Sequence, residues 1–218
     1  MDWTQAIDGY CERLGPGLWA EPVNAITNFA FVIAALWVWP VTRGLPKARI
    51  LAVILLLIGI GSGLFHTFAV AWAATLDVLP IVAFIVVYIY AAHRDFWGQV
   101  RLVAGGLTLA SVPAMMAVSQ VLPFRAALGG SAGYVPVPLL IFLHAALLAR
   151  RAPVTARGLA AGAALLCVSI GFRTLDAPLC SAVPIGTHFM WHVLNATMLG
   201  WMILVYRAHV LAGDPARR

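Results

Sequence analysis

Apolar residues fill this chain in seven long stretches, and the polar residues gather in the short breaks between them. Runs close to twenty residues fall at roughly 23–42, 48–69, 76–93, 100–122, 131–149, 155–175 and 186–207, lengths suited to crossing the hydrocarbon core of a bilayer as helices. The breaks carry turn and helix-breaking residues: "RGLPK", "HRDFWGQ", "GGSAG" and "RRAPVTARG". The pattern predicts an all-α integral membrane protein, a seven-transmembrane-helix bundle forming one membrane domain over 1–218. An outer N-terminal segment covers 1–22 and a tail covers 208–218. Gly158 and Gly162 in the sixth stretch stand at the small-xxx-small spacing that lets helix backbones approach closely.

Composition agrees with this pattern. With 62% hydrophobic and 10% charged residues and a mean hydropathy of +0.93, a soluble domain of this length could not cover its apolar surface. The net charge of +6 does not signal nucleic acid, because the basic residues sit in short loops rather than in a patch among aromatics. Their distribution sets orientation instead. Arg13, Arg125 and Arg173 fall on the side of the N-terminus. Arg43, Lys47, Arg49, Arg94, Arg101, Arg150, Arg151, Arg157, Arg207, Arg217 and Arg218 fall on the other, eleven against three. By the positive-inside rule the N-terminus is outside and the C-terminus cytoplasmic. The acidic first twenty residues lack the basic and apolar regions of a cleavable signal peptide. Compact loops and an Ala/Arg/Gly-rich composition point to a bacterial inner membrane, with the outer side towards the periplasm. The inner loops are too short to suggest an obligate protein partner.

Within the stretches, the ionisable residues separate by depth. His93 and His209 lie at the inner ends of the third and seventh stretches, and His144 lies in the inner half of the fifth. These read as packing histidines, bonded to a neighbouring helix or a carbonyl. His66, His188 and His192 instead fall together at the outer side, with Asp77 at the same level and Ser62 one turn below His66 on its face. Ionisable groups at membrane depth are costly and point into the bundle or line a functional cavity.

Three neutral imidazoles with an open fourth position suit a catalytic zinc. His188 and His192 share a helix face at i and i+4, but "HFMWH" lacks the internal Glu of the H-E-x-x-H zinc proteases. Asp77 is the carboxylate available in the outer half to accept a proton from metal-activated water. Ser62 can donate to a developing oxyanion, or can bond back to its own helix.

The outer segment "IDGYCERLGPGLWAEPVNAITN" supplies Asp8, Glu12, Glu21 and Asn24 within seventeen residues. Such an oxygen-rich cluster suits calcium; it equally suits a solvated acidic segment kept out of the membrane. Cys11 and Cys180 would both face an oxidising compartment, which permits a disulfide. Cys167, inside the sixth stretch, reads as a buried thiol.

Taken together, "DGYCER" with "AEPVNAITN", "GSGLFHTF" followed by "LDVLP", "LDAPLC" and "HFMWH" resemble the alkaline ceramidases, within the wider group of seven-span metal hydrolases that includes adiponectin-receptor-like and Per1-like proteins. The resemblance implies that His66, His188 and His192 are zinc ligands, that Asp77 is the acidic residue beside the activated water, and that Ser62 assists at the oxyanion. It implies a disulfide between Cys11 and Cys180 and a calcium site using Glu12 and Glu21, with Asp8 or Asn24 able to compensate for departures. Those departures are specific. The ceramidases read Asp-Trp-Cys-Glu followed by an Asn; here Asp8 is displaced by one residue, Tyr10 replaces Trp, and Leu14 stands in place of the Asn. Val78 stands where the ceramidases commonly have Glu.

The resulting expectation is a zinc-dependent intramembrane amidohydrolase. It would attack the N-acyl bond of ceramide or a related membrane lipid with water and release a fatty acid and an amine. Two rival expectations are a receptor-like zinc protein with little turnover and a haem carrier using His66 and one histidine of the last stretch as axial ligands.

Overall fold

The computed structural model describes residues 2–213. Its helices are α1 (Pro22–Thr27), α2 (Phe29–Val38), α3 (Pro46–Phe68), α4 (Ala71–Ala91), α5 (Arg101–Val121), α6 (Arg125–Leu128), α7 (Pro136–Leu148), α8 (Pro153–Leu179) and α9 (His188–Gly213). Each of the seven apolar stretches is therefore helical. Part of the expected tail is the last two turns of α9; residues 214–218, which include Arg217 and Arg218, lie outside the described residues.

Two stretches are shorter than expected. Among the described residues, five helices are long and apolar enough to cross a membrane: Pro46–Phe68, Ala71–Phe96, Arg101–Val121, Pro153–Leu179 and His188–Gly213. Pro22–Val38 is apolar but shorter, and Pro40 stops it. In the fifth stretch, Arg125–Tyr134 and Pro136–Leu148 meet at 65°. The cause lies in "GGSAGYVP": the glycine-rich run tightens into a 3-10 turn, and Pro136 starts a fresh helix at a position where its missing N–H costs nothing.

α3 and α9 form the centre, each with just over half of its apolar window buried, whereas α5 is peripheral at 17%. Two close approaches bring the elements together. Gly158 and Gly162 of α8 admit Val205, Met202 and Trp201 of α9, and Trp201 Nε1 donates to the Gly158 carbonyl at 2.8 Å. Gly61 of α3 lies against the backbone of α4, where a Cβ would stand 2.0 Å from the Leu76 carbonyl oxygen. Pro80 lies inside α4 and has no N–H to give to that oxygen, so the Leu76 carbonyl is free to face the bare Gly61. This contact sets Asp77 beside α3.

The N-terminal segment runs as a strap over the turn between α3 and α4. Ile7 N–H donates to the Ala69 carbonyl (2.8 Å), and Ala71 and Trp72 N–H donate to Gln5 and Trp3 (3.1 and 3.0 Å). A disulfide joins Cys11 to Cys180, with Cα atoms 5.2 Å apart. Cys167 corrects the sequence reading: it is exposed rather than buried, on the outer surface of α8. At the end of the bundle away from the strap, His144 accepts from Trp97 Nε1 (3.0 Å). His209 bonds Thr155 (2.8 Å) and the Asp95 carbonyl (3.2 Å). Both are the packing histidines expected.

Candidate metal centre

His66 comes from the last turns of α3, and His188 and His192 from the first two turns of α9. All three are buried, and one nitrogen from each lies within 4.8 Å of the others. Among the described residues, no other group of three His, Cys, Asp or Glu side chains converges in this way.

The partners of the rings decide their tautomers. His66 Nδ1–H donates to Glu21 Oε2 at 2.6 Å. The Thr27 hydroxyl gives its proton to the Val23 carbonyl (2.8 Å), so it must accept from His192 Nδ1–H at 2.9 Å. Each Nε2 is then a bare lone pair, and the two Nε2 atoms face each other at 3.1 Å. Two acceptors so placed repel unless a cation lies between them. Two nitrogens on one tetrahedral zinc, each at about 2.0–2.1 Å, stand roughly 3.3 Å apart. His188 adds a buried Nδ1 with no protein partner. The donor set therefore fits a metal ion of the zinc type, with orienting hydrogen bonds in place on His66 and His192.

Ser62 and Asp77 lie on the His66 side of this group. The Ser62 hydroxyl makes no hydrogen bond back to its own helix, unlike Thr67 on the same helix, which donates to the Gly63 carbonyl (2.8 Å). It lies beside the Asp77 carboxylate, which is also within electrostatic reach of His66 and Arg173. Tyr10 stacks on His188 with ring centroids 3.7 Å apart, and its hydroxyl accepts from Arg173 Nη2 at 3.4 Å. Burial pushes the Tyr10 phenol up to about 12; Arg173 opposes the shift and Asp77 adds to it.

The expected calcium ligands are placed differently. Glu12 accepts the N–H groups of Val23 and Asn24 at 2.6 and 2.8 Å and so caps α1. Glu21 bonds Arg13 Nε at 2.6 Å, His66 Nδ1, and Asn24 Nδ2 at 3.3 Å. Burial alone would raise the Glu21 carboxyl, but the hydrogen bonds and charges of His66 and Arg13 outweigh it and hold it below the ordinary value. Asp8 is exposed. Asn24 keeps a buried, unpartnered Oδ1, but a single amide oxygen is not a calcium site. With both glutamates engaged and a guanidinium on one of them, these residues do not fit a calcium ion.

Several residues of the centre had no role in the sequence reading. Asp176 is 3% exposed. Its Oδ1 accepts Thr187 N–H (2.7 Å) and His188 N–H (2.9 Å), and its Oδ2 accepts Cys11 N–H (3.0 Å). It caps α9 at the first metal-site histidine and fastens the strap there. Its signal was a carboxylate at the end of an apolar stretch, in "LDAPLC", just ahead of the next helix. Thr27 was visible only as the Thr of "AEPVNAITN", and Arg13 only as one of three outer basic residues.

Three buried histidines that could hold a metal ion, two of them braced by a carboxylate and a hydroxyl, lie within an all-helical bundle of membrane-type helices. The chain belongs to the ceramidase family, whose model matches residues 10–214. No curated protein matches it.

Proposed function

We propose that the protein is a seven-span, zinc-dependent amidohydrolase that cleaves the N-acyl bond of ceramide or a related membrane lipid. The centre would lie at the outer side of a bacterial inner membrane, with the N-terminus outside. The observation that carries this is the pair of bare Nε2 atoms at 3.1 Å beside a third buried, unpartnered imidazole nitrogen, in a chain of the ceramidase family. The same 3.1 Å leaves no gap for a macrocycle between His66 and His192, which weighs against the haem reading.

A zinc ion held here supplies Lewis acidity towards a carbonyl oxygen and acidifies water near neutral pH. The remaining work belongs to the chain. Asp77 takes the proton of the attacking water and returns it to the leaving amine, giving a carboxylic acid and a free amine. Ser62 donates to the carbonyl oxygen as it gains charge. An apolar cavity lined by Ser62 follows α4 and its helical continuation from Ile81 to Phe96. At 1.5 Å per residue that is about 22 Å, most of the roughly 30 Å hydrocarbon core, so a lipid chain can lie along the helix axes. Asn195, one turn from His192, lines this cavity with an unpartnered carboxamide oxygen, suited to a polar group beside the scissile amide.

The test is metal content and fatty-acid release measured on one purified sample, wild type against Asp77→Asn, with a panel of N-acyl lipids that includes ceramide. One zinc per chain with release abolished in Asp77→Asn supports the reading. Near-normal turnover in Asp77→Asn removes Asp77 from the chemistry, and zinc without release from any lipid favours the receptor-like alternative.

A further inference from the structure

Arg13 sits two residues beyond Cys11, and its side chain is 4% exposed. Its Nε donates to Glu21 Oε1 at 2.6 Å. Its Nη1 donates to the carbonyl oxygens of Gly15 (3.1 Å) and Gly17 (3.5 Å), while Nη2 makes no bond. Glu21 is 1% exposed and gives its other oxygen to His66 Nδ1. One buried carboxylate thus joins a guanidinium to a metal-site imidazole.

A carboxylate together with loop carbonyls is the oxygen set a hard cation takes. Here the positive charge arrives on a side chain of the protein. A carboxylate this deeply buried needs a countercharge, and Arg13 has the geometry to supply it while also gathering the loop. Nε reaches Glu21 and Nη1 reaches two carbonyls along the guanidinium edge, a division that the single ammonium of a lysine cannot reproduce. Glu21 held in this way fixes the ring of His66 with Nε2 turned towards the other histidines.

We infer that Arg13 is a positioning residue that takes the place of a second metal ion: it holds Glu21, Glu21 orients His66, and the three-histidine centre assembles without calcium. The inference rests on the metal reading of the three histidines given above.

The test uses the full purified chain. In the wild type, the unfolding temperature and the bound zinc should be the same with excess calcium as with a calcium-selective chelator. Calcium-dependent stabilisation, or a need for calcium to retain zinc, would overturn the inference. In a second arm, zinc affinity is measured by chelator competition for Arg13→Met, Glu21→Gln and the double variant. Each single change should weaken zinc about 10–100-fold, as loss of an outer-shell partner does, and the double variant should be no weaker than Glu21→Gln alone. Multiplying losses would mean that Arg13 acts elsewhere. Cobalt-substituted Arg13→Met and Glu21→Gln should show the same change in visible spectrum, whereas a wild-type spectrum in Arg13→Met would exclude any effect on His66. If Arg13→Met does not fold, the wild-type calcium arm still decides. A wild type that binds no zinc overturns the metal reading and this inference together; one that binds zinc only with calcium overturns this inference alone.

Discussion

Substituting Gly61 by alanine perturbs the position of Asp77 without touching any of the three histidines. The added Cβ would stand 2.0 Å from the Leu76 carbonyl oxygen, 2.8 Å from its carbonyl carbon and 3.3 Å from Asp77 N. All three are backbone atoms, so no rotamer change relieves the clash. Restoring even 3.0 Å to the oxygen requires α3 and α4 to separate by about 1 Å, and overpacking of this kind costs about 1–3 kcal/mol. Asp77 moves with the Leu76 backbone, and a misplacement near 1 Å at a reacting group costs roughly 10²-fold in rate. His66, His188 and His192 are not carried on α4, so metal content should hold. The assay is fatty-acid release and bound zinc per chain for Gly61→Ala, with Gly63→Ala as control, since a Cβ there meets only Asn28 Cβ at 3.8 Å. The expected result is about a hundredfold loss of kcat with zinc retained in Gly61→Ala, and near wild-type behaviour in Gly63→Ala. Equal turnover in the two variants would refute the argument that this glycine places the carboxylate.

Other substitutions probe the supporting contacts. Thr27→Val removes the acceptor for His192 Nδ1–H, and chelator competition should show zinc bound about 10–100-fold more weakly; unchanged affinity would dissociate Thr27 from the ligand. Asp176→Asn leaves one carbonyl oxygen where two oxygens now accept three backbone N–H groups, and should cost at least about 2 kcal/mol, read as a lower unfolding temperature. Asn195→Leu should raise KM about tenfold, near 1.4 kcal/mol of lost substrate binding, with zinc unaffected; an unchanged KM would place the substrate elsewhere.

Much of this site was legible in the chain because its residues announce themselves against an apolar background. Three imidazoles and a carboxylate at one depth stand out in lipid-type helices for the same reason that they are costly there. The helix-packing glycines Gly158 and Gly162 were visible from spacing alone. Helix length was harder to read, since hydropathy measures how apolar a run is and not whether it remains straight. The bend before Pro136 arises from a glycine-rich run that is itself apolar, so it passed as part of a span. The contacts that orient the candidate metal-binding histidines were the least legible. Glu21 and Thr27 reach His66 and His192 across 45 and 165 residues of sequence, and no local pattern encodes such distances. Cys167 was misread because a thiol in a membrane helix can face the lipid as readily as a neighbouring helix.

The bond between Cys11 and Cys180 links positions 169 residues apart in sequence, and its neighbour Asp176 ties the same strap to the start of α9. The strap carries Tyr10, and Arg13 and Glu21 follow it towards α1; two of the three metal-site histidines open the final helix. During synthesis, the parts that brace the centre are therefore made first and must wait for the parts they brace, which are made last. Until the ends meet, His66 stands without the two histidines that converge on it. Oxidation of the two cysteines has to wait for the loop ahead of α9, and it then fastens the first-made segment of the chain to the start of the last-made helix.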